Sequence, residues 1–119
     1  MKFCWTTIKV RNLEASLKFY GEIVGLPVTR RLSAGPGTEI AFLGDGETQL
    51  ELMYHEGAEK VDLGKDISIG FEVESVEEKL AFVKERGFEV SGLFQPNPHV
   101  KFFYIDDPDG LKVQFVQNV

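Results

Sequence analysis

Apolar and polar residues alternate along Leu111-Lys112-Val113-Gln114-Phe115-Val116, directly after the turn Asp107-Pro108-Asp109-Gly110. Pro108 presets φ and Gly110 tolerates positive φ, so the four residues read as a tight turn. Leu111, Val113 and Phe115 then fall on one side of a strand, with Lys112, Gln114 and Val116 on the other. The same period of two predicts strands over residues 3–10, 27–32, 39–43, 49–54, 67–73, 88–94 and 100–105. In the first of these, Phe3, Trp5, Thr7 and Lys9 share one face. Cys4, Thr6, Ile8 and Val10 share the other, which is the more buriable and should meet a helix.

Two stretches switch to helical spacing. Asn12 offers a cap, Leu13, Leu17, Tyr20 and Val24 recur on one face, and Gly25 stops the run. Ser75-Val76-Glu77-Glu78 is a capping box, followed by the stripe Val76, Leu80 and Val83 and a stop at Gly87. Residues 33–37, 44–46 and 95–98 read as loops, and 55–65 as a linker.

The pattern is a β-α-β-β-β unit written twice. Ile8 to Asn12 matches Phe71 to Ser75, Phe19 matches Phe82, and Leu50-Glu51-Leu52 matches Val113-Gln114-Phe115, all at an offset of 63. An internal repeat at one offset is a topological signal. The predicted fold is α+β: two tandem modules, about 1–56 and about 65–119, forming a cupped mixed sheet with the helices outside. They make a single domain over 1–119, with the open sheet faces curling around a shared cavity.

Composition narrows the partners. The 119 residues carry a net charge of −6, which argues against a nucleic-acid backbone. No basic amphipathic helix or long apolar run points to a membrane. A single cysteine excludes an internal disulfide and a four-cysteine zinc site. With no apolar leader after Lys2, the expectation is a cytoplasmic protein. Phenylalanine supplies 10 residues, more than a small core needs, so some rings are expected to line a pocket.

The segment Val10-Arg11-Asn12-Leu13-Glu14-Ala15-Ser16-Leu17-Lys18-Phe19-Tyr20, with Gly25-Leu26, Leu50-Glu51-Leu52 and the Asp107-Pro108-Asp109-Gly110 turn before a strand, resembles the vicinal oxygen chelate superfamily. That group includes glyoxalase I, extradiol dioxygenases, fosfomycin resistance proteins and bleomycin-binding proteins. The resemblance covers essentially the whole chain. It implies four metal-ligand positions, His, Glu, His and Glu in the glyoxalase I pattern. Carried over, they are Trp5, Glu51, Ser68 and Gln114, and both pairs keep the offset of 63. Only Glu51 retains ligand chemistry. Trp cannot ligate, Ser is a poor neutral ligand, and Gln offers a carbonyl oxygen. No metal is predicted at these positions and no cofactor, with a divalent metal as the alternative.

The residues expected to contact a ligand are Trp5, Thr7, Glu51, Met53, Ser68 and Gln114. Trp5 either stacks on a planar compound or plugs the cup. Glu51 is either a proton-transfer group, the one catalytic candidate, or an inert acid bonded to Gln114, Ser68 or the Trp5 indole. His55, roughly 13 Å along the strand from Glu51, and His99 in a loop are suspects for a rebuilt metal site. Cys4 reads as a small buried residue. Lys9, Arg30, Arg31 and Lys101 read as surface charges within reach of an anionic ligand. Asp106, Asp107 and Asp109 read as a turn with Asx bonds rather than a cation site, and Glu77, Glu78, Lys79, Lys84 and Glu85 as a solvated helix face.

Three functions follow. The first is a metal-independent binder of a planar or aromatic small molecule, of the bleomycin-resistance type. The second is a glyoxalase-type lyase or isomerase, lactoylglutathione lyase-like, with an altered or metal-free site. The third is a non-catalytic interaction module with a collapsed cup. Whether the chain is an enzyme stays open between them. Its partners are expected to be a small molecule and a second copy of itself, in a homodimer, and neither nucleic acid nor membrane.

Overall fold

The computed structural model describes residues 1–57 and 60–118. Two compact units emerge, one ending at Leu63 and the next beginning at Gly64. The first holds β1 (Trp5–Val10), α1 (Leu13–Lys18) continuing into a π-helical turn (Phe19–Val24), β2 (Val28–Ser33), β3 (Thr38–Leu43) and β4 (Gln49–His55). The second holds β5 (Ser68–Glu72), α2 (Val76–Glu85), β6 (Phe94–Asn97), β7 (Val100–Asp106) and β8 (Lys112–Asn118). Each unit is a four-stranded mixed sheet, in the orders β1-β4-β3-β2 and β5-β8-β7-β6. The first strand of each runs parallel to the last, the crossover that a helix between strands requires. The α+β fold of tandem β-α-β-β-β modules is therefore the observed one.

Local chemistry repeats at the predicted offset. Asn12 Oδ1 accepts from Ala15 N, and Ser75 Oγ accepts from Glu78 N, so each helix starts on a side-chain cap. Each sheet buries one face. In the first module that face carries Ile8, Val10, Ala41, Leu43, Leu50 and Leu52, and in the second Phe103, Ile105, Val113 and Phe115 with Val76 and Val83 of α2. Phe115 sits between Phe71 and Phe103, with ring centroids 6.5 and 5.3 Å away.

The offset is not constant through the chain. From Asn12 to Gly25 is one residue longer than from Ser75 to Gly87, so the offset falls to 62 (87 − 25) at the helix ends, where both glycines have positive φ. The first module absorbs the surplus as the π turn; both Gly25 N and Leu26 N donate to Tyr20 O. Ser16, Phe19, Tyr20 and Ile23 are buried and Leu17 and Val24 only half-buried, against the predicted stripe, and from Phe19 onward the π turn rotates the residues away from a 3.6-residue repeat. The lower offset persists in the strands, where Leu32↔Ile40 and Phe94↔Phe102 are equivalent pairs. The second module regains its residue in the connection from Ile105 to Val113, compared with Leu43 to Leu50. Asp107 is buried there and its Oδ1 accepts from Asp109 N and Leu111 N, the Asx arrangement read from the sequence.

Several sequence expectations change. The strand predicted over 88–94 begins only at Phe94, and the stretch 95–98 predicted as a loop supplies most of β6. In the first module Gly44 N donates to Pro27 O and Val28 pairs with Leu43. In the second, the segment before β6 is tied to β7 by mutual Ser91–Tyr104 bonds and leaves a cleft of about 400 Å³ lined by residues including Glu89, Asp106 and Lys112. Cys4 is exposed rather than buried, because the strand starts at Trp5 and position 4 lies outside the helix-covered area. Lys79 is not simply solvated: its Nζ lies 4.8 and 5.1 Å from the Phe82 and Phe115 rings. Partial burial and then the Arg86 charge lower its pKa. Of the predicted linker, His55 belongs to β4, Ala58 and Glu59 lie outside the described residues, and residues 60–63 line a cavity with the first module. No helix of the described residues is long and apolar enough to cross a membrane.

Candidate functional site

The faces away from the helices carry the candidate chemistry, and each module holds its own share. In the first, β1 pairs with β4 so that Trp5 lies beside Gln49, Thr7 beside Glu51 and Lys9 beside Met53. β3 adds Phe42 opposite Glu51 and Ile40 opposite Met53. Glu51 is 7% exposed, and the Thr7 hydroxyl donates a short hydrogen bond to its Oε1. The bond answers the expectation that Gln114, Ser68 or the Trp5 indole would satisfy Glu51. In the described residues that partner is Thr7, because parallel register sets Thr7, not Trp5, beside the carboxylate.

Trp5 is 45% exposed and packs edge-on against Phe42, with centroids 5.2 Å apart and planes at 68°. The Arg30 guanidinium covers Phe42 at 4.5 Å. Trp5 is thus neither free nor a buried plug: it contacts Phe42 and is about half covered.

Further along this face is a cavity of about 240 Å³ lined by Thr7, Lys9, Met53, His55 and residues 60–63. Lys9 and Lys60 pair with no carboxylate among the described residues. His55 Nδ1 lies 2.6 Å from Thr38 Oγ1. The cavity is therefore lined by two lysines, one aspartate (Asp62), a thioether and the apolar residues Val61 and Leu63. That suits a small molecule with an apolar body and a negative end.

In the second module Ser68, Gly70, Lys112, Gln114, Tyr104 and Phe102 share the corresponding face. Gln114 Nε2 donates to Tyr104 Oη at 3.2 Å. Its Oε1 lies 3.0 Å from where a Cβ on Gly70 would stand. Ser68 is exposed at the edge of the sheet. The first module thus gathers Trp5, Thr7, Glu51 and Met53 on one face, and the second gathers Ser68 and Gln114.

The remaining suspects separate from these faces. His99 is exposed in the turn after β6, and its N donates to Asn97 Oδ1. Arg31 pairs with Glu14 at 2.9 Å and Lys101 with Glu77 at 2.9 Å, as surface charges would. Among the described residues, no three His, Cys, Asp or Glu side chains converge on a point. The divalent metal that the family resemblance implies does not fit this donor set. Glu51 alone has a ligand's chemistry, and a hydroxyl already occupies one of its oxygens.

Sequence reasoning missed Phe42, Tyr104 and Gly70. Each is set beside Glu51 or Gln114 by cross-strand register, which depends on turn lengths that alternation alone does not give. The lone glycine in a strand pattern was a usable signal for a close approach.

The model of the glyoxalase/bleomycin resistance protein/dioxygenase superfamily matches residues 2–115. The chain belongs to that superfamily. It is 34% identical over 125 residues to a lactoylglutathione lyase of Neisseria meningitidis, covering 98% of this chain and 91% of the relative. The trypanothione-dependent glyoxalase I of Leishmania major superposes with a TM-score of 0.85 at 26% identity, covering 98% of this chain and 86% of that one. TnmS3, an antibiotic-binding protein from Streptomyces, superposes at 0.80 with 20% identity over 100% of this chain and 97% of that one, a likeness of fold alone.

Proposed function

We propose that this superfamily member is a metal-independent binder of a small organic molecule, held on the open sheet faces. The observation that carries this reading is the donor set at the four inherited positions. Trp5 replaces a ligand by a ring, Glu51 is bonded to Thr7, Ser68 is exposed at an edge, and Gln114 is bonded to Tyr104. What is left suits hydrogen bonding and apolar contact rather than Lewis-acid chemistry. The cavity beside Thr7 and Met53 would take the ligand body, with Lys9 and Lys60 at its negative end.

A second reading is a glyoxalase-type lyase. The relatives named lactoylglutathione lyase, 34% and 30% identical over nearly the whole chain, favour it. Glu51 would then move the substrate proton without a metal to stabilise the developing oxyanion.

One experiment separates the two. Metal content and thermal unfolding are measured with and without nickel, zinc, manganese and iron(II), beside turnover of the glutathione–methylglyoxal adduct. A binder shows no stoichiometric metal, no metal-dependent rise in melting temperature and no turnover, but a concentration-dependent rise with a small-molecule ligand. Turnover that Glu51→Gln abolishes, with or without added metal, would overturn the proposal in favour of the lyase.

A further inference from the structure

We propose that the second module carries its own platform for a planar, conjugated ligand: the rings of Phe94, Phe102 and Tyr104, with the Gln114 amide at one end. The inference rests on the binding function proposed above and adds, within the second module alone, a place for a flat ring system.

Cross-strand register sets these side chains on one face, Phe94 opposite Phe102 and Tyr104 opposite Gln114. Phe94 and Phe102 stack, with centroids 5.5 Å apart and planes at 27°. Tyr104 meets Phe102 edge-on at 5.7 Å and 80°. Phe94 keeps 44% of its surface exposed. Three rings in contact, the outermost open, extend an apolar surface that a further flat ring system can continue by stacking.

The polar end is equally specific. The Gln114 amide is held between Tyr104 Oη and the space above Gly70. An amide presents one donor–acceptor edge, which pairs with a ring edge carrying an N–H and a carbonyl. Gly70 has no side chain, and the room this leaves on β5 is where the Gln114 amide lies, so a larger residue there would push the amide out of place. Beside Tyr104 the face opens into the cleft where the segment before β6 parts from β7. That cleft gives the non-planar part of such a molecule somewhere to go.

The first module has no such platform. Its equivalents of Phe94, Phe102 and Gly70 are Leu32, Ile40 and Thr7, and its one inner ring, Phe42, is already covered by Trp5 and Arg30. The ring platform is therefore a property of the second sheet and not of the repeat.

Riboflavin is the probe: a neutral tricyclic ring with an N–H and carbonyl edge, whose fluorescence is quenched on stacking. Saturable quenching is expected, with Phe94→Ala and Gly70→Val each weakening it roughly tenfold and Leu32→Ala leaving it unchanged. Melting temperatures of the variants show that they fold. No saturable quenching up to about 0.1 mM riboflavin would overturn the platform. Quenching that survives Phe94→Ala but is lost in Trp5→Ala would overturn it too, while leaving the general binding function standing on the first module. Sedimentation covers the other occupant: if Phe94→Ala dissociates a dimer and leaves quenching intact, the ring belongs to an interface between copies and the proposal falls.

Discussion

Two copies of one fold unit have been given different chemistry on the same face. In the first module the central side chain is a carboxylate, Glu51, satisfied by a hydroxyl from the neighbouring strand, Thr7. In the second it is an amide, Gln114, and the neighbouring strand offers Gly70 instead. The carboxylate face is half roofed by Trp5, Phe42 and Arg30. The amide face carries three rings in contact, of which the outermost, Phe94, is exposed. The shared elements are those that build the fold: side-chain caps at Asn12 and Ser75, positive-φ glycines at Gly25 and Gly87, and an apolar sheet face under each helix. What differs lies on the opposite face, which no helix covers, although Ile40, Phe42 and Glu51 of the first module are buried there too.

The sharpest way to break the comparison is to take the first module's hydroxyl away. Thr7→Val keeps the shape and removes the donor from a carboxylate that is 7% exposed. A buried acceptor without its partner costs about 1–3 kcal/mol. Urea unfolding of Thr7→Val is expected to show that loss, and Thr7→Ser to recover most of it. An unchanged midpoint in Thr7→Val would mean that water satisfies Glu51 as well as Thr7 does.

A smaller effect, of opposite sign, sits on the helix side. Ser16 is fully buried in α1, and its Oγ has no hydrogen-bond partner among the described residues. At the repeat offset the second module has Lys79, whose stem lies along aromatic rings instead. Ser16→Ala removes an unsatisfied hydroxyl and installs the better helix former, so it should stabilise by up to about 1 kcal/mol. A destabilised Ser16→Ala would reveal a bond that the hydroxyl makes.

The fold was legible in the sequence because its signals are local and repeated. Caps, glycine stops and period-two alternation each depend on a few neighbouring residues, and writing them twice gives an internal check. The candidate site was legible only in part. Alternation set Glu51 and Gln114 on the face away from the helix, but the partners Thr7, Phe42 and Tyr104 depend on register across strands. Register in turn depends on two single-residue differences, one absorbed by the π turn and one by the Asp107–Gly110 turn. Residues 88–93 mislead for a related reason: Val90 and Phe88 have the strand pattern, but the backbone ladder to β7 starts at Phe94, with Ser91 bonded to Tyr104 ahead of it.

The smallest difference between the modules lies in their surface pairs. The first helical turn of each begins with an acid at the same repeat position, Glu14 and Glu77. Glu14 reaches Arg31 on β2, while Glu77 reaches Lys101 on β7, each at 2.9 Å. The Lys101 ammonium hydrogen bond, and then a backbone bond, hold the Glu77 carboxyl below the usual carboxylate range. A carboxyl whose pKa is lowered by folding contributes stability above its unfolded value, and that contribution fades as pH falls through the lowered one. The pair is solvated, so the contribution is small and screened by salt. Lys101→Met should therefore move the Glu77 titration, followed by carbon-detected NMR, up toward the ordinary carboxylate value. The melting temperature at neutral pH should barely change. A drop of several degrees would mean that Lys101 also holds β7 to α2 by packing its stem, and the two modules would then differ in how their helices are fastened as well as in the chemistry of their open faces.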